Sequence, residues 1–279
     1  MEQQARVRIG MVNFINTAPL YEVWQQTVVQ PAWRVVEAPP SVLCRMLYDN
    51  ELDIGLVSSH EYGIHADQYQ LLADLSISSS GRVGSVFLFA RCDPAELDGR
   101  LVLLSSQSQT SASLVRIVLE EFYGVAPLYD TGDVVARSLG PAMPAAVLAI
   151  GDDALLLRDS GRYPVQLDLG EVWQRRTGLP FVFALWVVRE DFCGRYPDKV
   201  RAIHGELRRC VAQGREQLAE ISRRVAPRIP MRPEDCHNYL KGIEYDLGPH
   251  KQEALSHYFG YLIKRNEAEP GALPLKIFG

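Results

Sequence analysis

The sequence predicts an α/β protein built as two lobes with a ligand cleft between them. From Arg8 onward, short apolar runs alternate with amphipathic segments, which is the pattern of βα units and mainly parallel sheets. The alternation restarts after Arg91, and beyond Glu190 the pattern is purely helical. Helices alone cannot form a third α/β unit, so we expect this tail to pack back on the first lobe. Two crossings between the lobes follow, near Phe89 and near Ala184.

The first lobe is expected to comprise residues 1–89 and 185–279. Its strands are predicted at residues 8–13, 33–37, 53–57, 71–78 and 83–90. Pro19 lies in the first turn of the first helix, where a residue without an N–H loses no helical hydrogen bond. A second helix is predicted at 41–49, and the tail adds helices at 197–214, 215–225, 233–241 and 249–263.

The second lobe is expected to be an insertion of residues 90–184. Its strands are predicted at 100–104, 126–129 and 145–150, with a possible edge strand at 165–167. A helix from about Thr110 to Tyr123 closes on Gly124, which suits the left-handed position after a helix. The run Phe181–Val188 is apolar on both faces, which predicts a strand buried on both sides, leading the chain back to the first lobe.

Composition and charge exclude several classes of protein. With 47% hydrophobic and 23% charged residues, the 279-residue chain has the composition of a globular protein. The net charge of −5 argues against a nucleic-acid partner, for which a strongly basic face is expected. The longest apolar run, Phe181–Val188, is far shorter than the about 20 residues that a spanning helix needs. We therefore expect no membrane partner, and the oligomeric state stays open.

The cysteines and the first residues favour a cytoplasmic protein. The 5 cysteines are odd in number and widely spaced, so free thiols in a reducing compartment are expected. Residues 1–10 have no cationic head followed by an apolar core, as a secretory signal would. The histidines are scattered, and Glu234 and His237 form an isolated Glu-x-x-His spacing, so neither a metal nor another cofactor is expected.

A run of neutral polar residues, Ser105–Ser111, follows a predicted strand and begins a helix. Its hydroxyls and N–H groups converge on the positive end of the helix dipole, where a carboxylate or phosphate binds well. A simple N-cap with a polar loop is the alternative. The run has no glycine or lysine, so a phosphate-specific loop is disfavoured. The candidate ligand-binding residues here are Ser108, Gln109, Thr110 and Ser111.

Polar residues also follow other predicted strands, on the side where open α/β sheets bind ligands. Asn16 begins the first helix, and Ser58 and Glu61 follow the end of the third strand. Asn16 has an ordinary alternative as a helix cap, and Glu61 as a helix-start carboxylate rather than a general base.

Three more candidates lie near the crossing and at the end of the 145–150 strand. Ser85 stands at the start of the strand that enters the second lobe. Gly151 permits close approach of the backbone to a ligand, and Asp152 either contacts the ligand or caps the next helix. Together, the residues predict a two-lobed protein that binds a small organic anion, and they do not define a reaction.

Five segments, in order along the chain, resemble chorismate dehydratases of the futalosine-dependent menaquinone pathway. They are FINTAPLY at 14–21, LDIGLVSSHEY at 52–62, SQTS at 108–111, IGDDAL at 150–155 and GLPFVFALW at 178–186. The resemblance extends from about residue 8 to 263. It implies the type 2 periplasmic-binding-protein fold, used for catalysis in the cytoplasm. It also implies conversion of chorismate, a dicarboxylate, to 3-[(1-carboxyvinyl)oxy]benzoate and water.

The resemblance assigns roles to the candidate residues. Asn16 matches the motif asparagine and is the expected catalytic residue, which orients the reacting ring. The expected substrate contacts are Ser58, Glu61, Ser85, Ser108, Gln109, Thr110, Ser111, Gly151 and Asp152. Gln109 stands where the family often has arginine, so helix-end N–H groups or another cation such as Arg82 would have to hold the carboxylate.

Two other functions share the predicted architecture. Relatives that make 1,4-dihydroxy-6-naphthoate typically begin with a Ser-Pro-Cys-Pro-Asn-Asp-like segment and use a catalytic histidine, whereas this chain has Phe-Ile-Asn-Thr-Ala-Pro-Leu at 14–20. A solute-binding protein for a small carboxylate would have the same cleft without a reaction. Tyr21, Phe183 and Trp186 either touch the ligand or fill the core, and core packing is favoured.

Overall fold

A computed structural model describes residues 6–140, 143–229 and 231–279. Residues 1–5, half of the segment inspected for a secretory signal, lie outside the described residues. The strands form two sheets, as the two-lobed prediction requires. No helix in the described ranges is long and apolar enough to cross a membrane.

The first sheet has the strand order β11-β4-β10-β3-β1-β2. Its strands are β1 (Val7–Met11), β2 (Trp33–Glu37), β3 (Ile54–Ser58), β4 (Tyr69–Ser79), β10 (Phe181–Arg189) and β11 (Ile277–Phe278). Its N-terminal helices are α1 (Ala18–Thr27), α2 (Pro40–Tyr48) and α3 (Ser59–Ile64). A 3₁₀ turn at Ile15–Thr17 precedes α1. The run predicted to be buried on both sides is β10, which lies between β4 and β3.

The second sheet has the order β7-β6-β8-β5-β9. Its strands are β5 (Val86–Ala90), β6 (Leu101–Ser105), β7 (Leu128–Gly132), β8 (Ala146–Ile150) and β9 (Val165–Asp168), which is the predicted edge strand. Its helices are α4 (Gln109–Ile117), α5 (Val134–Leu139), α6 (Gly151–Arg158) and α7 (Leu169–Thr177). The predicted helix to Tyr123 continues past α4 as a π-helical stretch, Val118–Phe122, and Gly124 has the expected positive φ of 70°.

Both sheets are mixed, whereas the sequence predicted mainly parallel sheets. β10 runs antiparallel to β3 and β4, and β5 runs antiparallel to β8 and β9. These two strands are the ones that directly follow the connections between the sheets. Each strand begins beside the carboxyl end of a neighbour, with Val86 opposite Ile150 and Ala184 opposite Ser58, so a chain that enters the sheet at that edge runs against its neighbour.

The connections between the sheets are residues 80–85 and 178–180. The predicted lobe boundaries, 89/90 and 184/185, fall inside β5 and β10 instead. The carboxylate of Asp168 accepts the N–H groups of Val83 at 3.1 Å and Gly84 at 2.7 Å, which holds the first connection in place. We propose lobe boundaries in these two connections, because each strand then belongs to a single lobe.

The C-terminal segment contains α8 (Glu190–Arg195), α9 (Pro197–Glu216), α10 (Leu218–Val225), α11 (Pro233–Gly242) and α12 (Pro249–Lys264). It packs on the first lobe: a Cβ on Gly214 of α9 would lie 1.8 Å from the carbonyl oxygen of Pro19, so only glycine allows this contact with α1. The segment is not purely helical, because β11 returns to pair with β4.

Helix α12 also touches the second lobe. Arg265 and Lys264 each lie 2.8 Å from a glutamate of the π-helical stretch, Glu120 and Glu121 respectively. The ring of Tyr261 packs edge-on against Trp173 of α7, with the centroids 5.8 Å apart. The tail therefore bridges the two lobes.

Candidate active site

A cleft between the two sheets brings together most of the residues proposed from the sequence. Asn16, Ser58, Ser85, Ser108, Ser111 and Gly151 all line it. The space free of protein atoms is about 560 Å³, including solvent at the mouth.

The remaining wall of the cleft is mostly apolar. It consists of Val12, Phe14, Thr17, Pro40, Leu56, Val57, Ile77, Val86, Ile150, Phe183 and Ala184. None of the described residues that line it carries a charged side chain. The site therefore offers a ligand neutral hydrogen-bonding groups in a surrounding of low polarity, where each such interaction is stronger than in water.

Helix beginnings from both lobes meet at this cleft. Ser108 caps α4, and its Oγ accepts the N–H of Ser111 at 3.2 Å. Ser58 caps α3 in the same way, by accepting the N–H of Glu61 at 3.3 Å. Gly151 is the first residue of α6. The positive ends of the α4 and α6 helix dipoles supply potential at the cleft without a cation, which suits a carboxylate.

Ser85 and Gly151 form one wall across the connection between the sheets. The N–H of Gly151 donates to the carbonyl oxygen of Ser85 at 2.8 Å. Gly151 has a φ of 54°, in the left-handed region that favours glycine, and an added Cβ would lie 3.5 Å from the ring of Phe14. The expectation that glycine here permits close approach therefore has a conformational basis as well.

Asn16 lies in the 3₁₀ turn before α1, on the first-lobe side of the cleft. Its main-chain oxygen accepts a hydrogen bond from the hydroxyl of Tyr245 at 2.8 Å. Its side-chain Oδ1 is enclosed and has no hydrogen-bond partner among the described residues. Since buried polar atoms are rarely unpaired, this oxygen is available to a ligand.

Two predicted contact residues, Glu61 and Thr110, point away from the cleft. Glu61 lies in the first turn of α3, where its carboxylate turns into the first lobe and accepts the hydroxyl of Tyr69 at 3.0 Å. Burial raises the pKa of Glu61 to about 7. Thr110 is fully buried, and its Oγ1 accepts the N–H of His60 at 2.8 Å, which links α4 to α3. Thr110 is therefore used at the junction of the lobes, and Glu61 inside the first lobe.

Gln109 and Asp152 also lie outside the cleft. Gln109 is exposed on the opposite face of α4, because consecutive helical residues are about 100° apart. Asp152 is directed toward the N–H of Ile15 in the 3₁₀ turn, and burial raises its pKa. Arg82, the alternative cation, lies 3.9 Å from Asp168 and does not line the cleft either.

Two tyrosines of the C-terminal segment were missed by the sequence analysis. The hydroxyl of Tyr239 donates to Ser85 Oγ at 2.8 Å, and Tyr245 binds Asn16 as described. No local pattern marks them, because they reach the site only through the packing of the tail. Of the three aromatics left open, Phe183 lines the cleft, while Tyr21 and Trp186 are buried around a separate small cavity.

The cysteines and the histidines carry no further site. All five cysteines are free thiols, and four of them are buried. Within the ranges that the structure describes, no group of three or more histidine, cysteine, aspartate or glutamate side chains is placed to hold a metal ion.

The fold and the cleft define a class of protein, the two-lobed α/β proteins with the periplasmic-binding-protein fold. A solved structure of this fold, the Candida albicans CA3427 gene product, matches 98% of the chain and is itself covered to 95%, with a TM-score of 0.64 and 12% identity. At this identity the similarity concerns the fold alone.

Sequence comparison is more specific. A family model described as menaquinone biosynthesis matches residues 7–264, so the chain belongs to this family. It is 33% identical over 257 residues to the chorismate dehydratase of Thermus thermophilus, covering 86% of the chain and 89% of that protein. The 1,4-dihydroxy-6-naphtoate synthase of the same organism is 25% identical over 238 residues, covering 84% of both. The resemblance stated from the motifs is therefore confirmed.

Proposed function

We propose that this protein is a chorismate dehydratase, a hydro-lyase that converts chorismate to 3-[(1-carboxyvinyl)oxy]benzoate and water in the futalosine route to menaquinone. The observation that carries the proposal is the cleft, where an uncharged wall meets helix beginnings from both lobes and an unpaired asparagine oxygen. Its similarity to a chorismate dehydratase over most of the chain supports the same conclusion. A cytoplasmic location agrees with the free thiols.

The two carboxylates of chorismate suit a site that binds anions with helix ends. The beginnings of α4 and α6 face the same cleft from different elements of the second lobe. The hydroxyls of Ser108 and Ser111 add donors beside the first of them. Gln109, which stands where the family often has arginine, points elsewhere. N–H and O–H groups, rather than a charged side chain, would therefore bind the carboxylate here.

The reaction removes the ring hydroxyl and a ring proton, and the ring becomes aromatic. Because aromatisation supplies the driving force, the protein has mainly to position the ring and to prevent loss of the enolpyruvyl group. Asn16 is neutral and a poor base, so we assign its Oδ1 to orienting the reacting part of the ring by a hydrogen bond. Ser85 also lines the cleft, and we assign its hydroxyl to donating a hydrogen bond to the leaving hydroxyl or to a carboxylate.

The test is incubation with chorismate, followed by mass spectrometry and ultraviolet absorption. We expect a product lighter by one water and the spectrum of a substituted benzoate. The variant Asn16→Ala should lower kcat by about 100-fold, the scale of losing a preorganised hydrogen bond in a transition state.

The matched control is Asn13→Ala. Asn13 is exposed three residues before Asn16 and binds Glu37 and Arg228 at the surface. It should keep kcat within about twofold, as expected for a surface residue. An Asn16→Ala protein with the wild-type rate would remove Asn16 from the mechanism.

The similarity to a 1,4-dihydroxy-6-naphtoate synthase makes that activity the second candidate. A non-catalytic role, binding a small carboxylate, is the third, since other proteins of this fold bind ligands without a reaction. Binding of chorismate without turnover would favour the third function. Lack of both binding and turnover would exclude the first and direct the search to the second.

A further inference from the structure

Residues 239–245, the end of α11 and the strand-like segment after it, contact both sides of the cleft. Two phenolic hydroxyls do so: Tyr239 donates to Ser85 Oγ and Tyr245 donates to the main-chain oxygen of Asn16, each at 2.8 Å. We call this stretch the clamp segment. We propose that it positions Asn16 and Ser85 relative to each other for the dehydration, an inference that rests on the proposed function.

The hydrogen bond from Tyr239 to Ser85 Oγ restricts the direction of the Ser85 hydroxyl proton. A serine hydroxyl has one proton and two acceptor lone pairs. The phenol of Tyr239 donates to one of these lone pairs, and burial raises its pKa, so it stays protonated. Ser85 is itself buried and lines the cleft, and its own proton remains free to be donated to a substrate oxygen.

The bond at Asn16 holds the backbone rather than the side chain. Tyr245 is 4% exposed, and its hydroxyl holds the 3₁₀ turn Ile15–Thr17 through the main-chain oxygen of Asn16. The amide of Asn16 projects from this turn with its Oδ1 unpaired. A shift of the turn would move that oxygen relative to the ring, and displacements of about 1 Å in an active site cost rate.

The clamp segment is itself firmly attached. Glu244 pairs with Ser78 of β4 through two main-chain hydrogen bonds of 2.9 Å, and Tyr245 accepts the N–H of Ser76 at 2.8 Å. The Glu244 carboxylate also lies 2.7 Å from Lys251 Nζ and accepts the N–H of Ser80 at 3.2 Å. One anchored segment thus sets the positions of a first-lobe turn and of the connection between the sheets.

The test is a double-mutant cycle with chorismate as substrate. Tyr239→Phe removes a single oxygen, and we expect kcat to fall about tenfold with KM within about twofold, the scale of one hydrogen bond. In a Ser85→Ala background, the same change should have less than a twofold effect, because Tyr239 acts through Ser85. Likewise, Tyr245→Phe should lower kcat about tenfold on its own and less than twofold in an Asn16→Ala background.

Tyr163→Phe is the matched control. Tyr163 is buried in the second lobe, its hydroxyl pairs with Ser138 Oγ at 2.9 Å, and neither residue lines the cleft. It removes the same type of bond, so it should lower thermal stability as much as Tyr239→Phe while leaving kcat unchanged.

Two results would overturn the proposal separately from the function. A wild-type kcat for Tyr239→Phe would exclude positioning, and an undiminished tenfold effect in the Ser85→Ala background would indicate a general structural role. If the wild-type protein itself fails to dehydrate chorismate, the proposed function falls, and the positioning role falls with it.

Discussion

The two faces of α4 differ in whether charged side chains surround them. On the cleft face, Ser108 and Ser111 lie among neutral side chains, and Ser108, at the helix beginning, also borders the opposite groove. On the opposite face, Gln109 and Arg116 line an open groove with His60 and Glu267. Two surfaces only one helix apart are thus built from different chemistry.

Two glutamates near these faces show the consequence. Burial raises the pKa of Glu61, beneath the cleft, to about 7, and it also lowers the pKa of His65, whose Nε2 lies 4.0 Å from the carboxylate. Burial acts in the same direction on Glu267, beside the groove, but hydrogen bonds from His60, Arg265 and Ser113 outweigh it and lower its pKa to about 2. The protein neutralises charge by pairing in the groove and keeps cations away from the cleft.

This contrast between groove and cleft explains how a protein of net charge −5 can bind a dianion. In the groove, the ion pairs of Glu267 are already satisfied within the protein and tie the tail to both lobes. In the cleft, the helix ends and hydroxyls are left for the ligand. The overall charge of the chain therefore says little about its substrate, because the local field decides.

The largest effect is expected from adding a charge to the cleft face. Ser108→Asp keeps a good N-cap for α4 but places a carboxylate where a substrate carboxylate is expected. Two like charges about 4 Å apart repel by roughly 1 to 4 kcal/mol. We expect KM for chorismate, or the Kd of an inert analogue, to rise by about 100-fold.

Gln109→Asp, one residue later, is the control for that charge. It adds the same charge to the same helix end, on the exposed groove face. We expect less than a threefold change in KM, because solvent screens the charge there. Equal effects of the two variants would mean that the faces do not differ as described.

The second effect is a pH dependence of stability with opposite signs at the two glutamates. A raised pKa in the folded state means that the contribution of Glu61 is fully present below about pH 4.3 and is lost as the pH rises through about 7. From pH 4.5 to 8, the stability of Glu61→Gln relative to the wild type should therefore increase by roughly 3 kcal/mol at most. Chemical denaturation at a series of pH values measures this difference.

Glu267→Gln should show the reverse. The lowered pKa of Glu267 stabilises the folded protein above about pH 4.3, and this contribution is lost as the pH falls toward about 2. The wild type should be more stable than this variant above about pH 4.3, and the difference in unfolding free energy should shrink as the pH falls toward about 2. If the two variants had parallel pH profiles, the assignment of one unpaired and one paired carboxylate would be wrong.

The smallest effect is expected at Arg116. Its guanidinium lies over the ring of Tyr129, with the Cζ atom 5.2 Å from the centroid. Arg116→Ala should cost about 0.5 to 1 kcal/mol in thermal unfolding and leave KM within about twofold. An increase of KM above about tenfold would show instead that Arg116 holds the substrate carboxylate in place of the arginine missing at position 109.

Most elements of the fold were predictable because each depends on local pattern. The strand Trp33–Glu37 has the predicted bounds, and others shift by a few residues. The alternation also indicated two lobes and two crossings. It placed the crossings within β5 and β10, whereas we propose them in the connections 80–85 and 178–180; a strand buried on both faces has the same apolar pattern whichever sheet it joins.

The candidate site was predictable at residues where the backbone itself determines the direction of the side chain. Ser108 and Ser111 are spaced to share one face at the start of α4, and both line the cleft. Gln109, Thr110 and Asp152 belong to the same motifs but face other partners. Motif membership alone cannot distinguish these cases, since adjacent helical residues project in different directions.

Local sequence pattern indicates the α/β class, the family and the polar helix beginnings of the proposed anion site, because periodicity, caps and motifs are properties of short segments. Only the tertiary structure decided which of these groups share a cavity, that the cleft wall is uncharged, and that Tyr239 and Tyr245 support Ser85 and Asn16. The partners are separated by 154 positions in the Tyr239–Ser85 contact and by 229 in the Tyr245–Asn16 contact. They come together only when the tail packs across the folded lobes.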